Sequence, residues 1–564
     1  MKFSEIEYKR PDIEQLKGQM TKAISRIEGA RSAREQNEWI THINELRKSY
    51  DTMENLCYIR HSIDTQEPFY DKEQDFFDES GPEIAAVVQR FYEAVLASEF
   101  LDELKTLRPP HFFNLAEVRV KTFSDTVMGE MQRENQLISS YDKIIASAEI
   151  DYDGKQLSLA QLGPYLTHRD REIRKSSHEA LNDFMASRED EFDQIFDELV
   201  HLRHAVAVKL GYQNYVELGY KRLARTDYTQ EEIEKFRNAV YRDITPLGNR
   251  LMKRQQERIG VDSLYYYDLG YSFKSGNPIP SGDDHEIVQS ALEMYNELSV
   301  ETGDFFQEMK GGGFMDLAAK KSKAAGGYCT FIQDFRMPFI FSNFNGTYHD
   351  VTVLTHEFGH AFQVYSGREI EEIELIWPTY EAAEIFSMGM EFITWPWMGK
   401  FFNQDEEKFK FMHLSDGLKF IPYGTAVDEF QHRIYENPEL SPDQRKKIWR
   451  AIEKKYMPYR NYKGNAYLEG GGFWHRQGHI FQVPFYYIDY ALAQISAFEL
   501  KKKFQDNPGE TWQDYLNMCA VSGSRPYSEI LRAGKLSNPF ETDTIKDIIR
   551  DIEMSLDQID DSDF

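Results

Sequence analysis

Along most of this chain apolar residues recur every three to four positions between charged ones, the period of a helix with one face turned to a core. Stretches of this kind cover about 12–65, 81–107, 116–147, 167–210 and 229–258, and their charge runs read as solvated outer faces. Asp12 with Gln15, and Thr229 with Glu232, have the spacing of helix starts. Two later segments differ. Val351–Tyr365, with Asp350 placed to cap its start and Gly367 to end it, is apolar on nearly every side. So is Thr379–Trp395, which stops before Pro396. A helix apolar all round is a buried helix. Strand-like patterns are confined to Glu149–Lys155, a hairpin around Asp153 and Gly154, and to 325–346. Within the latter, Met337–Gly346 reads as an edge strand, because Pro338 cannot donate to a central ladder. Glu469–Gly472 reads as a flexible loop and Lys274–Asp284 as a turn-rich one. The pattern predicts a mainly α fold with a small β-sheet. A break near 155–166 divides an N-terminal helical region, 1–165, from a larger region, 166–564, with the two lobes interleaved.

The buried helices carry the chemistry. His356 and His360 stand at i and i+4, one turn apart on one face, close enough for both imidazoles to reach a single metal ion. Glu357, next to the first histidine, then points toward the open coordination position where a zinc-bound water would sit. Two histidines and a carboxylate in an apolar helix need partners, since an unpaired buried charge is costly. A third ligand is expected downstream. The carboxylates between Glu369 and Glu374 cluster in a polar loop that reads as solvated. In Thr379–Trp395 the only charges are Glu381, Glu384 and Glu391. Glu384 and Glu391 lie seven residues apart, two turns along one face, so one could ligate the metal while the other orients a ligating histidine. Spacing does not choose Glu384 over Glu381.

With these residues in place the sequence resembles the thimet oligopeptidase and oligoendopeptidase F family of zinc metallopeptidases. The likeness rests on His356–His360 followed by Ala383–Ser387, and extends through Gly327–Phe331, Pro338–Thr347 and His479–Tyr490. It is specific from about 325 to 500. The resemblance implies one Zn2+ per chain held by His356, His360 and Glu384, with Glu391 orienting a histidine. It also implies a zincin-like active-site helix beside a small sheet, and two helical lobes around a deep cleft that admits short unfolded peptides. The expected activity is hydrolysis of internal peptide bonds by a zinc-activated water, with Glu357 as general base. His479, Tyr486, Tyr487 and Tyr490 offer donors for the oxyanion; Tyr487 and Tyr490 match the family's tyrosines when one residue is deleted after the histidine. An edge strand beside the metal would hold an extended peptide through its backbone. A zinc carboxypeptidase or dipeptidyl carboxypeptidase is the alternative, since the same helix serves both modes. A non-enzymatic helical peptide-binding protein is the remote one.

Composition narrows the partners. A formal charge of −28 repels nucleic acid and anionic membranes. No run of 18 apolar residues appears, and Met1–Arg10 lacks the apolar region of a secretory leader, so a cytoplasmic location is expected. Cys57, Cys329 and Cys519 are odd in number and far apart, which gives no disulfide framework. The Gly-rich stretches lack the following Lys-Ser/Thr of a phosphate loop.

Overall fold

The computed structural model describes residues 1–541, 543–561 and 564. Helix accounts for 71% of it and strand for 4%, as the periodicity predicts. The N-terminal helices Ile13–Glu28, Ala33–Ile63, Pro68–Leu96 and Pro110–Arg119 pack around their own apolar core, which includes Met20, Ile27, Ile40, Phe91 and Phe113. A larger core runs from Phe3 to Leu556 and takes in Leu56, Ile59 and Ala86 of those N-terminal helices together with most of the buried aromatics after residue 165. The expected helix starts form: Asp12 accepts from the Gln15 backbone N–H, and Thr229 and Glu232 make a reciprocal cap.

Strands β1 (Ile150–Tyr152) and β2 (Lys155–Leu157) form the hairpin, with Asp153 and Gly154 both at positive φ (52° and 71°). The second sheet has the order β3-β5-β4, from β3 (Met315–Ala318), β4 (Tyr328–Ile332) and β5 (Met337–Phe344). The sequence reading of Met337–Gly346 as an edge strand is therefore corrected: β5 is the central strand, and β4 is the edge next to the motif helix. Pro338 is tolerated there because β3 pairs with β5 only from Ile340 onward, so no neighbour on that side needs its missing N–H. β4 also meets the N-terminal helices, where Thr330 donates to Asn55 and Tyr328 packs against Tyr58.

Three other expectations change. Asp350 lies inside the first turn of helix His349–Ser366 and accepts from the backbone N–H groups of Asn345 (3.0 Å) and Gly346 (2.7 Å); it ties down the turn before the helix without capping its end. Glu372 and Glu374 are buried, paired with Arg108 (2.8 Å) and Arg47 (2.6 Å) of the N-terminal helices. Their partners lie too far along the chain to be read from local pattern. Glu469–Gly472 is not a flexible loop: Glu469 and Gly470 end helix Ala466–Gly470, and Gly471 turns the chain at φ 100°, where a side-chain carbon would lie 2.1 Å from Lys446 O. Among the described residues, no helix is long and apolar enough to cross a membrane.

Candidate metal centre

Two helices bring the predicted ligands together. The motif helix, His349–Ser366, crosses the glutamate helix, Tyr380–Ile393, at Gly359, where an added side-chain carbon would stand 2.4 Å from Phe386 O and 2.7 Å from Ser387 Cα. Only glycine allows the backbones so close. The result puts Glu384 Oε2 3.2 Å from His356 Nε2 and 3.3 Å from His360 Nε2. One ligand atom from each of these residues lies within 4.8 Å of the other two. Glu381, left open against Glu384 by spacing, points elsewhere: it takes a bond from Thr379 and lies near the Arg225 guanidinium.

Each ligand is held by neighbours. Glu384 is 1% exposed; its Oε1 accepts from the Tyr486 hydroxyl, and its Oε2 from Ser387 Oγ at 2.7 Å. The oxygen not used by Tyr486 is thus the one that faces both imidazoles. His356 Nδ1 lies 2.7 Å from Glu391 Oε1, which leaves Nε2 turned to the centre. Burial opposes charge on His356, yet the carboxylates of Glu384 and Glu391 outweigh it and push the imidazole well above its ordinary range. Burial likewise opposes charge on Glu384, but the two histidines hold its carboxyl well below the usual carboxylate range. Two histidine nitrogens and one carboxylate oxygen are the donor set and number that suit zinc with one position open.

Glu357 lies on the same helix, buried, with Oε2 making no hydrogen bond within the protein. Burial pushes its carboxyl above the ordinary range, opposed by His356 and His360. A carbon added at Gly327, just before β4, would lie 3.3 Å from Glu357 Oε1, so this carboxylate abuts the start of the edge strand.

The segment 477–490 closes the other side. Tyr423 donates to Gln477 Oε1 (2.7 Å), which turns the amide nitrogen of Gln477 toward His479 Nδ1 at 2.9 Å. That nitrogen of His479 must accept, so the ring proton sits on Nε2, 3.3 Å from the Tyr490 oxygen. Burial draws the His479 imidazole down to about 4, against the pull of Glu384, so it is neutral near pH 7. The three tyrosines separate. Tyr486 is bonded to Glu384, Tyr490 lies within the electrostatic reach of Glu384 and Glu357, and Tyr487 packs against His479, Tyr423 and Phe420. Phe485, with φ 69°, makes the bend that aims them; Arg225 donates to its carbonyl at 2.7 Å and to Asp489 at 2.6 Å. Gln477, Tyr423, Arg225 and His413, which lies beside Glu391, were not singled out by the sequence reading. Only Gln477, two residues from His479, stood close enough along the chain to have been suspected.

Comparison with known proteins agrees with this arrangement. The peptidase M3 N-terminal domain matches residues 3–123, and peptidase family M3 matches residues 165–551. Group B oligopeptidase PepB of Streptococcus agalactiae serotype III (strain NEM316) is 23% identical over 499 residues, covering 82% of this chain and 78% of its own. Oligopeptidase PepF of Bacillus subtilis (strain 168) is 20% identical over 563 residues, covering 94% and 80%. The solved structure of PZ peptidase A with inhibitor 2 is 51% identical and superimposes with a TM-score of 0.99 over 100% of both chains. A family match that spans most of the chain, laid over a buried His-His-Glu cluster, decides its kinship: this protein belongs to peptidase family M3 and is a metalloendopeptidase.

Proposed function

We propose that this protein is a zinc-dependent oligoendopeptidase that cuts internal bonds of short, unfolded peptides. The observation that carries the reading is the convergence of His356 Nε2, His360 Nε2 and Glu384 Oε2, with an unpartnered, buried Glu357 beside them. Held by those three atoms, zinc would supply Lewis-acid polarisation and lower the pKa of water at its open position. Glu357, whose carboxyl is raised by burial, accepts the proton of the attacking water and returns it to the departing amine nitrogen. His479, neutral with its proton on Nε2, and the Tyr490 hydroxyl donate to the oxygen that becomes negative as the carbonyl is attacked. Tyr487 supports the His479 ring from one side. The outer edge of β4, to which no strand pairs among the described residues, takes an extended peptide by backbone hydrogen bonds.

The limit to short peptides rests on the family resemblance, in which helical walls around the site exclude folded chains. A cytoplasmic location fits a peptide-clearing role and the charge of −28. Glu357→Gln tests the central assignment: it is expected to retain zinc and lose at least about 10²-fold in kcat. Equal rates in parent and variant would overturn the general-base role. Mass-spectrometric mapping on peptides blocked at both ends separates the endopeptidase from the carboxypeptidase reading, because only an endopeptidase cuts them.

A further inference from the structure

Behind Glu391 the hydrogen bonds continue. Glu391 Oε2 lies 2.6 Å from His413 Nε2, on helix Glu406–Tyr435, and His413 Nδ1 lies 2.9 Å from the indole Nε1 of Trp395. An indole nitrogen can only donate. His413 Nδ1 must therefore accept, the ring proton sits on Nε2, and that N–H points at Glu391. Glu391 is then held from both sides, accepting from His413 at Oε2 and paired with His356 Nδ1 at Oε1 (2.7 Å). With Oε2 engaged by His413, the Glu391 carboxyl is turned so that Oε1 meets His356 Nδ1. The consequence reaches the metal face: with Nδ1 turned to Glu391, His356 Nε2 faces the point shared with His360 and Glu384. Three side chains in this row, Trp395, His413 and Glu391, are 8–9% exposed. The His413 ring is stacked between Phe392 (4.7 Å) and Phe409 (5.4 Å), which fixes its rotamer.

We propose that His413, oriented by Trp395, is a positioning residue for the metal: it holds the Glu391 carboxyl in orientation and thereby presets His356 as a ligand. This inference rests on the zinc reading above. It concerns how tightly the metal is held, since His413 touches neither the peptide nor the ion. Losing the outer partner of a ligating histidine weakens metal binding by about 10–100-fold; His413 acts one hydrogen bond farther out, so the low end of that range applies.

The experiment is chelator competition for zinc on the full chain, with the melting temperature of the metal-free protein measured beside it. His413→Phe fills the slot between Phe392 and Phe409 but offers no N–H. His413→Gln keeps one. The expected result is a loss of about tenfold in zinc affinity for His413→Phe and most of it recovered by His413→Gln. Parent-like affinity in His413→Phe, in a parent that does bind zinc, overturns this inference and leaves the metal site standing. Equal losses in both variants also overturn it, because ring packing, and not the N–H, would then be what matters. A parent that takes up no zinc overturns the metal reading and this inference with it.

Discussion

Tyr486→Phe separates two roles for one hydroxyl. In the structure that hydroxyl donates to Glu384 Oε1, while the ring packs against Tyr380 at 4.2 Å, so phenylalanine keeps the packing and removes only the bond. A hydrogen bond to a charged, buried acceptor is worth about 1.5–3 kcal/mol, and Glu384 has no access to water that could replace it. Ser387 Oγ still holds Oε2 at 2.7 Å, so the carboxylate is loosened and not released. The lower end of the range therefore applies: zinc affinity is expected to fall about tenfold. With zinc restored to saturation, kcat should remain within roughly tenfold of the parent, since no donor to the reacting carbonyl is lost. Tyr490→Phe is expected to show the opposite pattern, unchanged zinc affinity with kcat lower by about 10²–10³-fold, the cost of an oxyanion donor. The assay pairs chelator competition with steady-state kinetics at saturating zinc. If Tyr486→Phe binds zinc like the parent but loses more than about 10²-fold in kcat, Tyr486 is an oxyanion donor and the assignment made from its bond to Glu384 is wrong.

Arg225→Met strips the fully buried Asp489 of its cation and the Phe485 carbonyl of its donor; denaturant unfolding should show a loss of about 3–5 kcal/mol, with much of it restored in Arg225→Met/Asp489→Met. Burial alone would raise the Glu134 carboxyl, but Arg222 and Arg203 bring it down to about 2 from 4.5. Because the folded-state value is depressed, the stabilisation, on the order of 3 kcal/mol, is present above about pH 5 and is lost as pH falls through 4.5 toward 2. Urea titrations at pH 7 and pH 3 should show more than half of that difference in the parent and little of it in Glu134→Gln. Gly359→Ala forces a carbon against Phe386 O and should cost about 1–3 kcal/mol in melting analysis and weaken zinc binding as the glutamate helix is pushed away. A variant with parent-like stability and zinc affinity would show that the two helices have slack at this crossing.

What the sequence disclosed follows from what is local. His356 and His360 were legible because helix periodicity turns a spacing of four into adjacency, and Glu384 was within reach because an apolar helix leaves few charges to consider. The choice between Glu381 and Glu384 was not available from spacing. On a helix buried all round, residues three apart meet different neighbours, here Arg225 for one and Tyr486 for the other. His413 stood outside any motif because its tie to Glu391 joins two helices that have no shared pattern. The burial of Glu372 and Glu374 was misread for the same reason, their arginines coming from positions 108 and 47. The strand order failed at Pro338, where the rule about edge strands assumes a neighbour along the whole length and β3 is too short to supply one.

The crossing at Gly359 has a mechanical consequence. Helices pressed backbone to backbone cannot slide without collision, so His356, His360, Glu357 and Glu384 travel as one rigid block. An opening to admit or release a peptide would then have to hinge outside that block, for instance where the N-terminal helices meet the connecting segment at Glu372 and Glu374 and meet β4 at Thr330. An opening hinged there would keep the reacting geometry intact, so one centre would serve peptides of varied shape without being rebuilt for each.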